Sequence, residues 1–119
     1  GLTTDQFASR KSHPVKEYAV RKTSLEQYIE SSGFSTPYKI EPLNDRYGSA
    51  VSEDFDALVV SEETLPIAHE INTFRHTIGK RKVDIHQITC VLAEDNRWIS
   101  STRIYRGEID EHGNLLSRN

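Results

Sequence analysis

The 119-residue chain carries 15 Lys and Arg against 18 Asp and Glu, a formal net charge of −3, with 35% hydrophobic residues. That length suits one domain, since domains most often run about 100–150 residues. The interleaved charges supply no basic stripe of the kind that binds nucleic acid. Wholly apolar runs reach only four residues, as at 57–60, against the roughly 20 needed to cross a bilayer. No basic segment followed by an apolar one opens the chain, so no secretory signal is visible. Cys90 is the single cysteine, which rules out an internal disulfide and makes a reducing cytoplasm the expected compartment. In its apolar run, Cys90 reads as a buried core thiol rather than a nucleophile.

In chain order, Gly1-Leu2-Thr3-Thr4-Asp5 reads as the exit from a strand. Residues 15–31 read as a helix, with Val15, Tyr18, Leu25, Tyr28 and Ile29 inward and Arg21, Glu26 and Glu30 outward. Ser31-Ser32-Gly33 is its stop signal. A short strand is predicted at 38–43, and the Asn, Asp, Gly and Ser of 44–54 form a loop. The run within 56–61 fits a strand buried on both faces, as in a parallel sheet. A second helix spans 64–78, with Leu65, Ala68, Ile71, Phe74 and Ile78 at spacings of three and four and Gly79 at its end. Another strand is expected at 84–92, then a polar loop to Trp98. Ile99-Ser100-Ser101-Thr102 leads into a third helix over 103–110, with Gly107 as its weak point. The polar tail, 111–119, reads as loose. Strands alternating with helices argue an α/β domain with a mainly parallel sheet, in which ligands bind at the carboxyl ends of the strands. Three clear strands are few for such a sheet.

Four segments carry candidate chemistry. In Ser100-Ser101-Thr102-Arg103-Ile104-Tyr105-Arg106, hydroxyl residues at a helix start expose backbone N–H groups that favour an anion. Arg103 and Arg106 add charge that can pair with phosphate. The same residues also fit an ordinary helix cap with solvated arginines. Arg10 and Lys11 could clamp a phosphate or stand as solvated cations. Glu62, Glu63 and Thr64 follow a buried strand directly, either at a ligand-binding edge or as a capping arrangement with Ser61 as N-cap. Asn72 and Arg75 share a helix face with Ala68 and Ile71, and Arg75 could reach inward to a phosphate or extend outward. The five histidines show no metal-ligand spacing, and neither phosphate-binding Gly-rich motif occurs.

Taken together, these segments resemble the archaeal and eukaryotic type of phosphopantetheine adenylyltransferase, within the nucleotidyltransferase superfamily. The matching residues are Gly1-Leu2-Thr3-Thr4-Asp5-Gln6-Phe7-Ala8, Asp45-Arg46-Tyr47-Gly48, Leu58-Val59-Val60-Ser61-Glu62-Glu63-Thr64, Ile71-Asn72-Thr73-Phe74-Arg75, Val91-Leu92-Ala93-Glu94-Asp95, and Ile99 through Asp110. The last segment marks the superfamily; 59–64 with Asn72 and Arg75 points to this branch. Ser49-Ala50 departs from the family, where a Pro and an Ala usually follow Tyr-Gly.

The resemblance implies a Rossmann-like nucleotidyltransferase fold formed as a single domain over 1–119. It also implies transfer of AMP from ATP to 4′-phosphopantetheine, with Mg²⁺ accompanying ATP and neither nucleic acid nor membrane as a partner. It places Ser100, Ser101, Thr102 and Arg103 at the ATP phosphates and Glu63, Thr64 and Arg75 near the nucleotide. Lys11 and Arg10 fall near the substrate phosphate, Lys11 as the phosphate-positioning group of the reaction. The family opens with a strand, a helix bearing His-x-Gly-His and a second strand, and none of the five histidines here sits in that pattern. Together with the absence of any methionine, this leads to the expectation that the first strand, first helix and second strand are missing from this chain and that those histidines lie upstream. Two other readings compete: a nucleotidyltransferase acting on CTP or nicotinamide mononucleotide, and a nucleotide-binding module without catalysis.

Overall fold

A computed structural model of the chain describes residues 1–116, and the final three residues of the polar tail lie outside the described residues. Contacts divide the chain into two units, Gly1–Ser49 and Ala50–Asn119.

In the first unit, β1 (Leu2–Thr3) leads into a single-turn helix, α1 (Asp5–Ala8), which the sequence reading did not anticipate. Thr4 caps it, its hydroxyl accepting the Phe7 N–H at 3.3 Å. Helix α2 (Tyr18–Ser31) begins three residues later than predicted and stops at the predicted Ser-Ser-Gly signal. None of its residues is buried, and Tyr28 is 68% exposed, so the expected apolar face does not form. The face that meets β1 carries Arg21 instead, which donates to Thr3 Oγ1 at 3.0 Å and to Asp5 Oδ1 at 3.2 Å. Asp5 Oδ1 also accepts the Tyr18 N–H at 2.7 Å, tying the first turn of α2 to α1. Arg21 is therefore the anchor of α2 rather than an outward charge. The predicted strand at 38–43 shortens to β2 (Pro42–Leu43), paired parallel with β1. The loop that follows contains a 3₁₀ turn at Gly48–Ala50.

In the second unit, β3 (Ala57–Ser61) pairs parallel with β4 (Asp84–Ile88) along five residues, Ala57 opposite Asp84 through Ser61 opposite Ile88. The intervening helix α3 (Leu65–Thr77) starts at Leu65 with Thr64 at the N-cap position, so Ser61 ends the strand instead of capping the helix. Strand–helix–strand with parallel pairing is the unit that the alternating pattern predicted. Val60 is buried while Val59 is 63% exposed, so β3 has one buried face rather than two. Strand β4 ends before Cys90, which is only half-buried; Leu92 instead forms an isolated antiparallel bridge with Trp98. The core gathers Val60, Ala68, Ile71, Val83, Ala93 and Ile109.

The two polar residues on the inward face of α3 are spent on backbone. Asn72 accepts the Val83 N–H at 2.8 Å and donates to the Val83 carbonyl at 3.1 Å. Arg75, 2% exposed, donates to the carbonyls of Arg81 (2.8 Å), Ala50 (2.9 Å) and Glu53 (2.6 Å). Buried backbone groups must find partners, and these side chains supply them where the loops leave the ladder.

The last helix, α4 (Ser101–Tyr105), starts two residues before the predicted position and ends at Gly107, whose φ of +73° halts it. The described part of the segment after it, to residue 116, is held by turns and a bridge rather than loose. Asp110 accepts the N–H groups of His112 and Asn114, each at 2.9 Å, and Ile109 bridges to Leu115. Gly113 sits at φ +85°, and a Cβ there would lie 2.9 Å from the Ala93 Cα, so no larger residue fits.

Asn72→Ala leaves a buried N–H and a buried carbonyl of Val83 unpaired. It is expected to destabilise the second unit by about 1–3 kcal/mol, read as a lowered urea midpoint with an unchanged slope. A midpoint within error of the parent would contradict this role.

Candidate functional site

The first turn of α4 is built from its own residues. Ser100 adopts an extended backbone, and its hydroxyl accepts the Arg103 N–H at 3.2 Å. That satisfies one of the helix's initial amides and leaves the start of α4 with the partial positive character of a helix N-terminus. Ser101 and Thr102 are the first two residues of the helix.

Arg103 does not extend into solvent. It is 8% exposed and turns inward. Its Nε donates to Glu108 Oε2 at 2.9 Å, its Nη1 to the Trp98 carbonyl at 3.0 Å and to Asp95 Oδ1 at 3.3 Å, and its Nη2 to Asp95 Oδ2 at 2.5 Å. The fork on Asp95 is the bidentate geometry in which arginine exceeds lysine. Hydrogen bonding from Arg103 holds the Asp95 carboxyl below its ordinary pKa, helped by the Arg97 N–H and the Arg97 charge. The Arg103 guanidinium is pushed up in turn, by Asp95 first and then Glu108. Asp95 and Glu108 carry no role in the sequence reading, although both lie in matched segments. Charges of opposite sign eight residues before and five after an arginine are a weak signal in sequence, because only the loop turn brings them to it.

Arg75 turns inward rather than outward, its Nε and Nη1 donating to three backbone carbonyls. Glu63 is exposed in the turn after β3. The Thr64 hydroxyl accepts the Ser61 N–H at 3.1 Å and so closes that turn. Because β3 and β4 run parallel, Glu63 and Thr64 leave the same edge of the pair as the segment that leads to α4.

In the first unit, Lys11 lines a cavity of about 670 Å³ together with Asp5, Ser9, Ser12, His13 and Glu17. Arg10 is exposed, its guanidinium 5.4 Å from the centre of the Phe7 ring. Among the described residues, no cluster of three or more His, Cys, Asp or Glu is arranged to hold a metal ion. No helix among them is long and apolar enough to cross a membrane.

No protein-family model matches the chain. It is, however, 48% identical over 116 residues to the phosphopantetheine adenylyltransferase of Methanosarcina barkeri, covering 97% of this chain and 71% of that protein. The chain belongs to the phosphopantetheine adenylyltransferase family. The family member of Methanothermobacter thermautotrophicus is 43% identical over 119 residues, 99% of this chain and 71% of its own length. That of Archaeoglobus fulgidus is 38% identical over 117 residues, 98% of this chain and 78% of its own. A crystal structure of a protein of unknown function from Archaeoglobus fulgidus superposes with a TM-score of 0.67 at 25% identity, over 97% of this chain and 74% of that one. The α/β fold with parallel strand pairs is thus the Rossmann-like fold that the resemblance implied.

The depressed Asp95 pKa fixes a sign for pH dependence. A carboxyl whose folded pKa lies below its unfolded value, about 3.9, stabilises the fold above that value, and the contribution is lost as pH falls through the folded pKa. Asp45, held down by the N–H groups of Gly48 and Tyr47, and Asp110, held down by Asn114, act in the same direction. Asp95→Asn is therefore expected to lower Tm at pH 7, with the gap from the parent narrowing as pH falls below about 4, where Asp95 of the unfolded chain takes up its proton while the folded carboxyl, held lower, follows only at lower pH. A gap that stays constant from pH 3 to 7 would contradict this assignment.

Proposed function

We propose that this protein transfers the AMP part of ATP to 4′-phosphopantetheine, giving dephospho-coenzyme A and pyrophosphate in coenzyme A biosynthesis. The observation that carries the reading is 38–48% identity, over nearly the whole chain, to archaeal proteins of that name. The capped first turn of α4 is consistent with it, since it presents amide donors of the kind that suit a triphosphate.

A phosphate oxygen of phosphopantetheine attacks the α-phosphorus of ATP, a new P–O bond forms, and the bond to pyrophosphate breaks. No protein group bonds covalently to the adenylyl unit. The protein's contribution is to position the two phosphate groups and to offset their charge. Ser100, Ser101 and Thr102 receive the ATP phosphates through the start of α4. Lys11, with Arg10 beside it in sequence, is the group for the acceptor phosphate. A flexible ammonium suits that task as a point charge. Glu63 and Thr64 are assigned to the nucleotide from their place after β3. Arg75 supports that side of the second unit through the backbone carbonyls it holds. Mg²⁺ would accompany ATP, held by the phosphates with waters completing its shell, and would offset their charge. A cytoplasmic location accords with the single cysteine and with a metabolite substrate.

Pyrophosphate release from the full-length protein tests the reading. Release is expected with ATP plus 4′-phosphopantetheine, with CTP failing to replace ATP and nicotinamide mononucleotide failing to replace the acceptor. Turnover with nicotinamide mononucleotide and none with phosphopantetheine would reject it.

A further inference from the structure

We propose that Arg103 is a positioning residue for adenylyl transfer: gripped by Asp95 and Glu108, it fixes the Ser100–Thr102 turn and does not itself contact the nucleotide. The inference deepens the function proposed above and rests on its placement of the ATP phosphates at that turn.

Three observations lead to it. First, the guanidinium is committed. Two carboxylates and one backbone carbonyl take its donors at 2.5–3.3 Å, and it is almost fully buried. Turning it outward toward a ligand would strip partners from Asp95, whose side chain is 23% exposed, and from Glu108, 29% exposed. Leaving buried or half-buried charges unpaired is costly. Second, its charge is already offset. Asp95 and Glu108 both pair with the guanidinium, so its positive charge is already matched by carboxylates rather than held in reserve for a triphosphate. Third, the bonds bracket the turn. The side chain holds the Trp98 carbonyl, two residues before Ser100, while the backbone N–H of the same residue binds the Ser100 hydroxyl. On the far side, the Glu108 N–H donates to the Arg103 carbonyl at 3.0 Å, closing the chain reversal at Gly107. The backbone amides of residues 101 and 102 are therefore aimed by one side chain that ties the loop before α4 to the turn after it. Positioned donors of this kind lose effect steeply with small displacements.

Steady-state kinetics of the full-length protein separate positioning from contact. Asp95→Asn and Arg103→Lys are each expected to raise KM for ATP by about tenfold or more, since misplacement of roughly 1 Å can cost as much as a hundredfold. KM for phosphopantetheine should stay within twofold of the parent. The double variant should be no worse than either single, because both break the same unit. A role limited to stability would lower Tm and the active fraction while leaving KM for ATP unchanged. Ser101→Asp is the companion measurement. An acidic residue at the first position of α4 suits the helix dipole but repels a triphosphate, so it should raise KM for ATP without lowering Tm. If Arg103→Lys fails to fold, Glu108→Gln, which spares the Asp95 fork, should still give a smaller rise. Raised KM for ATP in Ser101→Asp with no change in Asp95→Asn would overturn the role of Arg103 alone. Unchanged KM for ATP in Ser101→Asp would reject the placement of the phosphates and this role with it.

Discussion

A buried guanidinium needs most of its N–H donors satisfied, and the way Arg103 meets that demand shapes the end of the chain. The loop after β4 turns so that Asp95 and the Trp98 carbonyl face it, and the stretch after α4 turns back so that Glu108 does. Helix α4 is only five residues long, too short to hold itself together in water. It exists because its first turn is capped by Ser100, its third residue is clamped from both sides and Gly107 ends it. The Ser100–Thr102 turn is thus held by a polar cluster.

The same device recurs elsewhere. Arg75 holds three backbone carbonyls around α3, and Arg21 joins α2 to β1 and α1. With few fully buried apolar side chains, the chain uses long cationic side chains as internal fasteners. Their apolar stems pack while the donors at the tip serve groups that secondary structure leaves open.

Much of this was legible in the sequence, and the failures share a cause. The apolar run at 57–60 and the three-and-four spacing of 65–78 located β3 and α3 to within a residue or so, because periodicity reports directly on which face is buried. Ser100 as a cap and Gly107 as a weak point were also readable. The protein partners of the arginines were not legible, since a charged residue in sequence suggests solvent or a ligand. Whether it faces Asp95, or the carbonyls of Ala50 and Glu53, depends on loop paths that have no period. Strand β4 was drawn too long because Cys90, Val91 and Leu92 continue the apolar run after the pairing stops. The inward face of α2 was misread because Arg21 stands in the middle of the stripe formed by Tyr18, Leu25 and Ile29.

A crystal structure of the full-length protein with ATP and Mg²⁺ bound tests the central claim most directly. The predicted result is phosphate oxygens within hydrogen-bond distance of the backbone N–H groups of Ser101 and Thr102, with Arg103 still gripped by Asp95 and Glu108. A guanidinium of Arg103 swung onto the phosphates, or a triphosphate bound away from the start of α4, would contradict it.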